Sequence, residues 1–185
     1  MGIIFKLIIF GDGAVGKTTF HQRYITGLFS DSTPITIGVQ VGMKEVVVNG
    51  IEVSLQIWDL GGEDRFRFIL PTYCSGARGA IFMYDITAPH TLTHLAEWME
   101  VIQDRLVGMP LLLLGTKADL AFKRRVYPEE ANEAMKRFNF SEAMEVSAKT
   151  GQNVNDAFQT ITRLMLEQMI PNSPIKESDA SVERG

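Results

Sequence analysis

Apolar positions in this chain come in short continuous runs separated by stretches with helical spacing. Ile3–Phe10 is almost wholly apolar and runs into a glycine-rich segment, which reads as a buried strand followed by a loop and a helix through about Thr26. Residues Val39–Val48 and 51–58 flank Asn49-Gly50, the strongest short hairpin signal. A second buried strand is predicted at 79–84, a continuous apolar one at 111–114 and a short strand at 143–146. From about Thr91, Leu92, Leu95, Trp98, Met99, Ile102 and Leu106 recur at helical spacing. Pro128 suits the first turn of another helix, with Glu129-Glu130 favoured at its N-terminal dipole. A last helix is predicted over 154–170, stopped by Pro171, with Val154, Phe158, Ile161 and Met165 on one face. Continuous apolar strands alternating with helices predict an α/β fold of three layers. Its sheet is six-stranded and mostly parallel, with one antiparallel edge strand and about five helices covering both faces. Crossovers should be right-handed, and ligands should bind beyond the carboxyl ends of the strands. One domain over 1–170 is expected, with 171–185 a polar, flexible tail.

Composition narrows the class. The 185 residues suit one domain, and 45% apolar with 22% charged residues excludes wholesale disorder or a collagen-like polymer. Eighteen Lys+Arg against 22 Asp+Glu give a net charge of −4, which argues against a sequence-independent nucleic-acid binder. A single cysteine, Cys74, allows no intramolecular disulfide and fits a cytoplasmic protein. No apolar run reaches the roughly 18 residues of a membrane helix. Gly2 is followed by Lys6 where a myristoylation signal wants Ser or Thr, and the tail 171–185 carries neither a cysteine nor a basic patch.

The segment Gly11-Asp12-Gly13-Ala14-Val15-Gly16-Lys17-Thr18 matches G-x-x-x-x-G-K-[ST] between a predicted strand and a predicted helix. Glycines let the backbone wrap around phosphate oxygens, successive N–H groups point inward, and the helix N-terminus adds its positive end. Lys17 is expected on the β- and γ-phosphates and the Thr18 hydroxyl on Mg²⁺, with Thr19 completing the cradle. A chance match in a chain of this length is on the order of one in a hundred or rarer.

Thr116-Lys117-Ala118-Asp119 follows the 111–114 strand. The Asp119 carboxylate can accept from guanine N1–H and the 2-amino group, whereas adenine would leave an ionised acceptor facing another acceptor. Ser147-Ala148-Lys149 follows the next strand, where the Ala148 N–H could meet guanine O6. Each short motif is weak alone; their order behind a phosphate loop gives them weight.

With those residues in hand, the chain resembles a Ras-superfamily small GTPase of P-loop NTPase fold over roughly 3–170, most similar to the Ras/Rab branch. The resemblance rests on 11–18, Thr36-Ile37-Gly38, 58–63, 116–119 and 147–149. Residues 64–67 and 147–154 are Rab-like, Gly61-Gly62 follows the Arf pattern, and Thr116 in place of asparagine follows the Rho pattern. The resemblance implies a switch in signal transduction or vesicle trafficking that binds GTP or GDP with Mg²⁺ and hydrolyses GTP. Thr36 would place its hydroxyl on Mg²⁺ and its N–H on the γ-phosphate, Asp59 would hold Mg²⁺ through a water, and the Gly62 N–H would sense the γ-phosphate. Phe29 would pack against the guanine edge, with an ordinary core phenylalanine as the alternative, and Lys117 would lie along the base. Effectors, exchange factors and GTPase-activating proteins are the implied partners of a monomer. Gly13 stands where the family admits an activator's arginine, worth about 10³–10⁵ in rate.

Three departures qualify this. Glu63 replaces the family's water-positioning glutamine; an ionised glutamate offers acceptors only. Slow intrinsic hydrolysis is therefore expected, against two alternatives: Glu63 as a general base, or Glu63 pointing to solvent. A non-cycling GTP-bound interaction module is the other function class, and a nucleoside-phosphate kinase or ATPase is disfavoured by Asp119 and by the lack of chain for a lid. The absence of a lipidation cysteine predicts a cytoplasmic chain, one that a partner brings to a membrane, or a sequence trimmed at its C-terminus. Trp58 and Tyr73 match two members of a Rab-type aromatic cluster whose third position is Val41, and plain core packing weighs equally. Arg65 and Arg67 could pair with Glu63 or face solvent. His90 and His94 share a helix face by spacing, with little to suggest a metal site.

Overall fold

The structure, a computed structural model, describes residues 2–32 and 34–169, with the side chains of 64–66 left out. The 171–185 tail and the last residue of the predicted final helix lie outside the described residues, as does the side chain of Arg65. The elements run β1 (Ile3–Phe10), α1 (Lys17–Thr26), β2 (Val39–Val48), β3 (Ile51–Leu60) and α2 (Leu70–Tyr73), then β4 (Ala77–Asp85), α3 (His90–Thr93) and α4 (Leu95–Leu106). They continue with β5 (Leu111–Thr116), α5 (Pro128–Arg137), β6 (Glu142–Glu145) and α6 (Val154–Met169). Two 3₁₀ segments, Asp64–Ile69 and Ala118–Lys123, join them.

The six strands form one sheet in the order β2-β3-β1-β4-β5-β6, parallel except for the β2–β3 hairpin at one edge. The hairpin turns at Asn49 and Gly50, both at positive φ (51° and 77°), as a two-residue turn matched to strand twist requires. Six α-helices stand where about five were expected, because the 91–106 pattern is divided at His94 into a one-turn helix and a longer one.

Strand alternation splits the core in two. Leu7 and Ile9 of β1, Ile81 and Met83 of β4, and Leu112 and Leu114 of β5 pack under α1 and α6, meeting Phe20, Phe158 and Ile161. Ile8 and Phe10, Phe82, and Leu111 and Leu113 pack on the other face against Leu95, Trp98, Met99 and Ile102 of α4. The α6 face predicted from Val154, Phe158, Ile161 and Met165 is buried as expected. Burying both faces anchors β1, β4 and β5, and the loops leaving their carboxyl ends inherit that rigidity. β1 is central, with β3 on one side and β4 on the other, so the loop after it opens at the point where the strand order reverses.

α5 starts as its sequence suggests: Pro128 occupies the first turn and the Glu130 carboxylate accepts from the Tyr127 N–H at 2.8 Å.

Candidate nucleotide site

β1 ends at Phe10, and α1 begins at Lys17 after a left-handed Gly16 (φ 102°). The six-residue loop between them closes on the side chain of Lys17, whose Nζ donates to Gly11 O at 2.8 Å and Asp12 O at 2.7 Å. The ammonium is almost fully buried, and burial lowers its pKa to about 8 against the opposing pull of Asp59 and Asp12. A buried cation whose hydrogen bonds go only to carbonyls is incompletely compensated, which suits an anion such as a phosphate. In front of it lies a cavity of about 240 Å³, lined by Gly13, Lys17, Thr18, Thr36, Gly62 and Glu63 among others.

Three side-chain oxygens meet at one wall of this cavity. Thr18 Oγ1 donates to Asp59 Oδ2 at 2.6 Å and lies 2.5 Å from Thr36 Oγ1. Asp59 is fully buried at the end of β3, its Oδ1 has no hydrogen-bond partner, and burial pushes its carboxyl up to about 6. Two hydroxyls and a carboxylate with an unused oxygen form a hard-donor set that suits Mg²⁺, which takes one or two protein oxygens and completes its shell with phosphate and water. The residues present fit the metal that the motif implies.

Both flanking loops are drawn onto the phosphate loop. The Gly61 N–H donates to Gly38 O at 2.7 Å, beside Thr36. A Cβ on Gly61 would come within 2.6 Å of Thr36 O, and one on Gly62 would overlap the Asp12 and Gly13 backbone. The paired glycines are thus what lets this segment touch its neighbours. At Gly13 a Cβ would meet only Gly62 O, at 3.7 Å, so the fold itself does not demand glycine there.

The base end is a second cavity of about 270 Å³, sharing Ala14, Gly16, Thr19 and Asp31 with the first, so the two form one groove. Val15, Phe29, Thr116, Lys117, Asp119, Ala148 and Lys149 also line it. Thr116 Oγ1 lies 2.6 Å from Val15 O and 3.0 Å from Tyr84 O, so its single hydrogen ties the base-reading loop to the phosphate loop. Lys117 adopts a left-handed backbone (φ 62°) and pairs with Asp85 at 2.6 Å. Ser147, fully buried, does not line the cavity; its hydroxyl donates to Asp119 Oδ1 at 2.6 Å and accepts from the Thr150 N–H. It orients the Asp119 carboxylate at the wall of this cavity.

Asp12 is placed differently from its loop neighbours. Its carboxylate turns away from the groove, accepting from Trp98 Nε1 at 2.8 Å and lying 2.6 Å from His94 Nδ1, which leaves its backbone for the phosphates. His94 is therefore committed to the loop, 5.6 Å from the His90 ring in an edge-on contact, and no group of three metal-ligating side chains is found among the described residues. Trp58 and Tyr73 form a tilted pair at 6.0 Å, with Lys6 Nζ 3.8 Å above the Trp58 ring, while Val41, opposite Trp58 in the hairpin register, is half exposed. Sequence reasoning missed Asp31, Asp85 and the His94–Trp98 hold on Asp12. Only Asp85 left a signal, as a carboxylate ending a buried strand.

A comparison with protein families matches the Ras family over residues 6–167, a span that contains all of these groups. Phosphate loop, threonine–aspartate cluster and the 116–119 loop all stand within the matched span, and the chain belongs to the Ras family of small GTPases, as a GTP-binding molecular switch.

Proposed function

We propose that the chain binds GTP and GDP with Mg²⁺, hydrolyses GTP slowly by itself, and relies on an activating partner to finish the cycle. The observation that carries this reading is the convergence of Thr36 and Asp59 on the Thr18 hydroxyl, each within 2.6 Å of it, while Gly62 is pressed against the phosphate loop. Two separate loops thus meet at the end of the groove where a third phosphate would lie. Thr18, Thr36 and Asp59 would hold Mg²⁺, which when bound offsets phosphate charge. Lys17 and the N–H groups of 13–19 bind the phosphate chain, and the Gly62 N–H is directed to its last group. Asp119, held by Ser147, accepts from guanine, Ala148 offers its N–H to O6, and Phe29, Lys117 and Lys149 wall the base.

Glu63 lines the phosphate cavity at the start of the 3₁₀ segment. Without an N–H it cannot donate to a phosphate oxygen while orienting water, and its charge opposes that of the phosphate. Help in trans has a place to enter beside Gly13. The Rab-like residues 64–67 and 147–154 support a place near the Ras/Rab branch, with the Arf-like Gly61-Gly62 and Rho-like Thr116 as departures. We assign the chain to the cytoplasm, brought to membranes by a partner. Glu63 also favours a second reading, a GTP-bound interaction module that does not cycle.

Single-turnover hydrolysis of GTP by the wild type and by Glu63→Gln separates these. Glutamine is expected to raise the rate by about 10². A wild type as fast as the variant or faster removes the slow-enzyme reading. No hydrolysis by the wild type, even with cell extract added, leaves the non-cycling module.

A further inference from the structure

Asp12 sits in the phosphate loop yet spends its carboxylate on α4, and a third segment reaches the same carboxylate. Arg67 lies in the 3₁₀ segment Asp64–Ile69, which with residues 61–63 forms the loop called switch II in this family; it places Nη2 3.6 Å from Asp12 Oδ1 and Nη1 2.6 Å from Glu97 Oε2. Its guanidinium lies 4.6 Å from the ring of Trp98, the residue that donates to Asp12. The Arg67 side chain is only 14% exposed, against 55% for Glu97. A lone surface ion pair is worth little, but an arginine stacked on a buried indole and shared between two carboxylates is a stronger tie. The Arg67 contact also draws the Glu97 carboxyl below its ordinary range.

The position of this tie gives it a consequence. Arg67 stands five residues after Gly62, and the Gly62 backbone touches Asp12 and Gly13. Gly62 and Arg67 lie on one short segment, so a displacement of that segment from the loop would separate Arg67 from Asp12 and Glu97. The tie and a third phosphate held by the Gly62 N–H thus favour the same arrangement, and a contact present in only one of two states shifts the balance toward it.

We propose that Arg67, clasped by Glu97 and Asp12 over Trp98, is a positioning residue that latches switch II in the triphosphate-binding arrangement, so that α4 tunes the preference for GTP over GDP. This rests on the GTP-switch reading and extends it to α4, whose Glu97 lines neither of the two cavities of the groove. By linkage, whatever covers or neutralises Glu97 alters the affinity for triphosphate by the factor that triphosphate alters the affinity for it.

The test measures the affinity of a non-hydrolysable GTP analogue and of GDP, with Mg²⁺, for the wild type, Arg67→Ala, Glu97→Gln and the double variant. Melting temperatures check that each folds, and Glu97→Gln changes only a surface carboxylate. Arg67→Ala should weaken the analogue about fivefold or more with GDP within about twofold, and Glu97→Gln should do the same to a smaller degree. The double variant should be no weaker than Arg67→Ala, because both changes open one latch. Arg67→Lys, which keeps charge but not the planar fork, should recover only part of the loss. Equal losses for the two nucleotides, or additive effects, would reduce Arg67 to a structural role and overturn the latch. A wild type that binds neither nucleotide overturns the switch reading itself, a result distinct from an unchanged ratio.

Discussion

At the base end of the groove, Thr116, Lys117 and Asp119 each have a partner inside the protein: two carbonyls, Asp85 and Ser147. At the phosphate end, Thr18, Thr36 and Asp59 crowd one another, one Asp59 oxygen has no partner, and Lys17 rests on carbonyls. The base end rides on β5 and the turn after β6, with its polar groups held by partners inside the protein. The phosphate end draws two loops onto a third and holds charges that burial disfavours: the Lys17 ammonium, lowered to about 8, and the Asp59 carboxylate, raised to about 6. On the proposed reading, one half reads which base is present with little reorganisation, and the other, stabilised by the ligand, reports how many phosphates it carries. A site built alike at both ends would bind tightly without switching.

Two substitutions set the halves against each other. Asp119→Ala removes the ionised acceptor for two guanine donors, each hydrogen bond to a charged group being worth about 1.5–3 kcal/mol. GTP and GDP should both weaken by about 10²–10⁴, in equal proportion, by calorimetric titration. A loss confined to one nucleotide would mean that the base end also senses phosphate. Thr36→Ala should have a smaller and one-sided effect: about tenfold weaker GTP, with GDP nearly unchanged. If GDP weakened equally, Thr36 would belong to the static half.

Legibility in the sequence followed the same division. Motifs of contiguous residues were readable because backbone geometry fixes their use: the phosphate loop at 11–18, the hairpin at Asn49-Gly50, and 116–119. The buried strands were readable from unbroken apolar runs, and β1 matched from end to end. What was not readable depends on meetings between distant segments. Ser147 was expected at the nucleotide but orients Asp119 from 28 positions away. Asp12 and His94 meet across 82 positions, so a loop carboxylate and a helix histidine each looked available for another task. The division of the predicted 91–106 helix at His94 left no mark in its apolar spacing. Thr116 was read as a Rho-like replacement of asparagine, and its single hydroxyl, within 3.0 Å of both carbonyls, joins the base loop to the phosphate loop.

The measurement closest to the central claim is competition of GTP, GDP and ATP for the purified protein with Mg²⁺ present and then chelated. Displacement by GTP and GDP but not by ATP at comparable concentrations is expected, with chelation weakening GTP more than GDP. ATP competing as well as GTP would contradict the role of Asp119, and equal sensitivity of GTP and GDP to chelation would contradict a phosphate end that closes on the third phosphate.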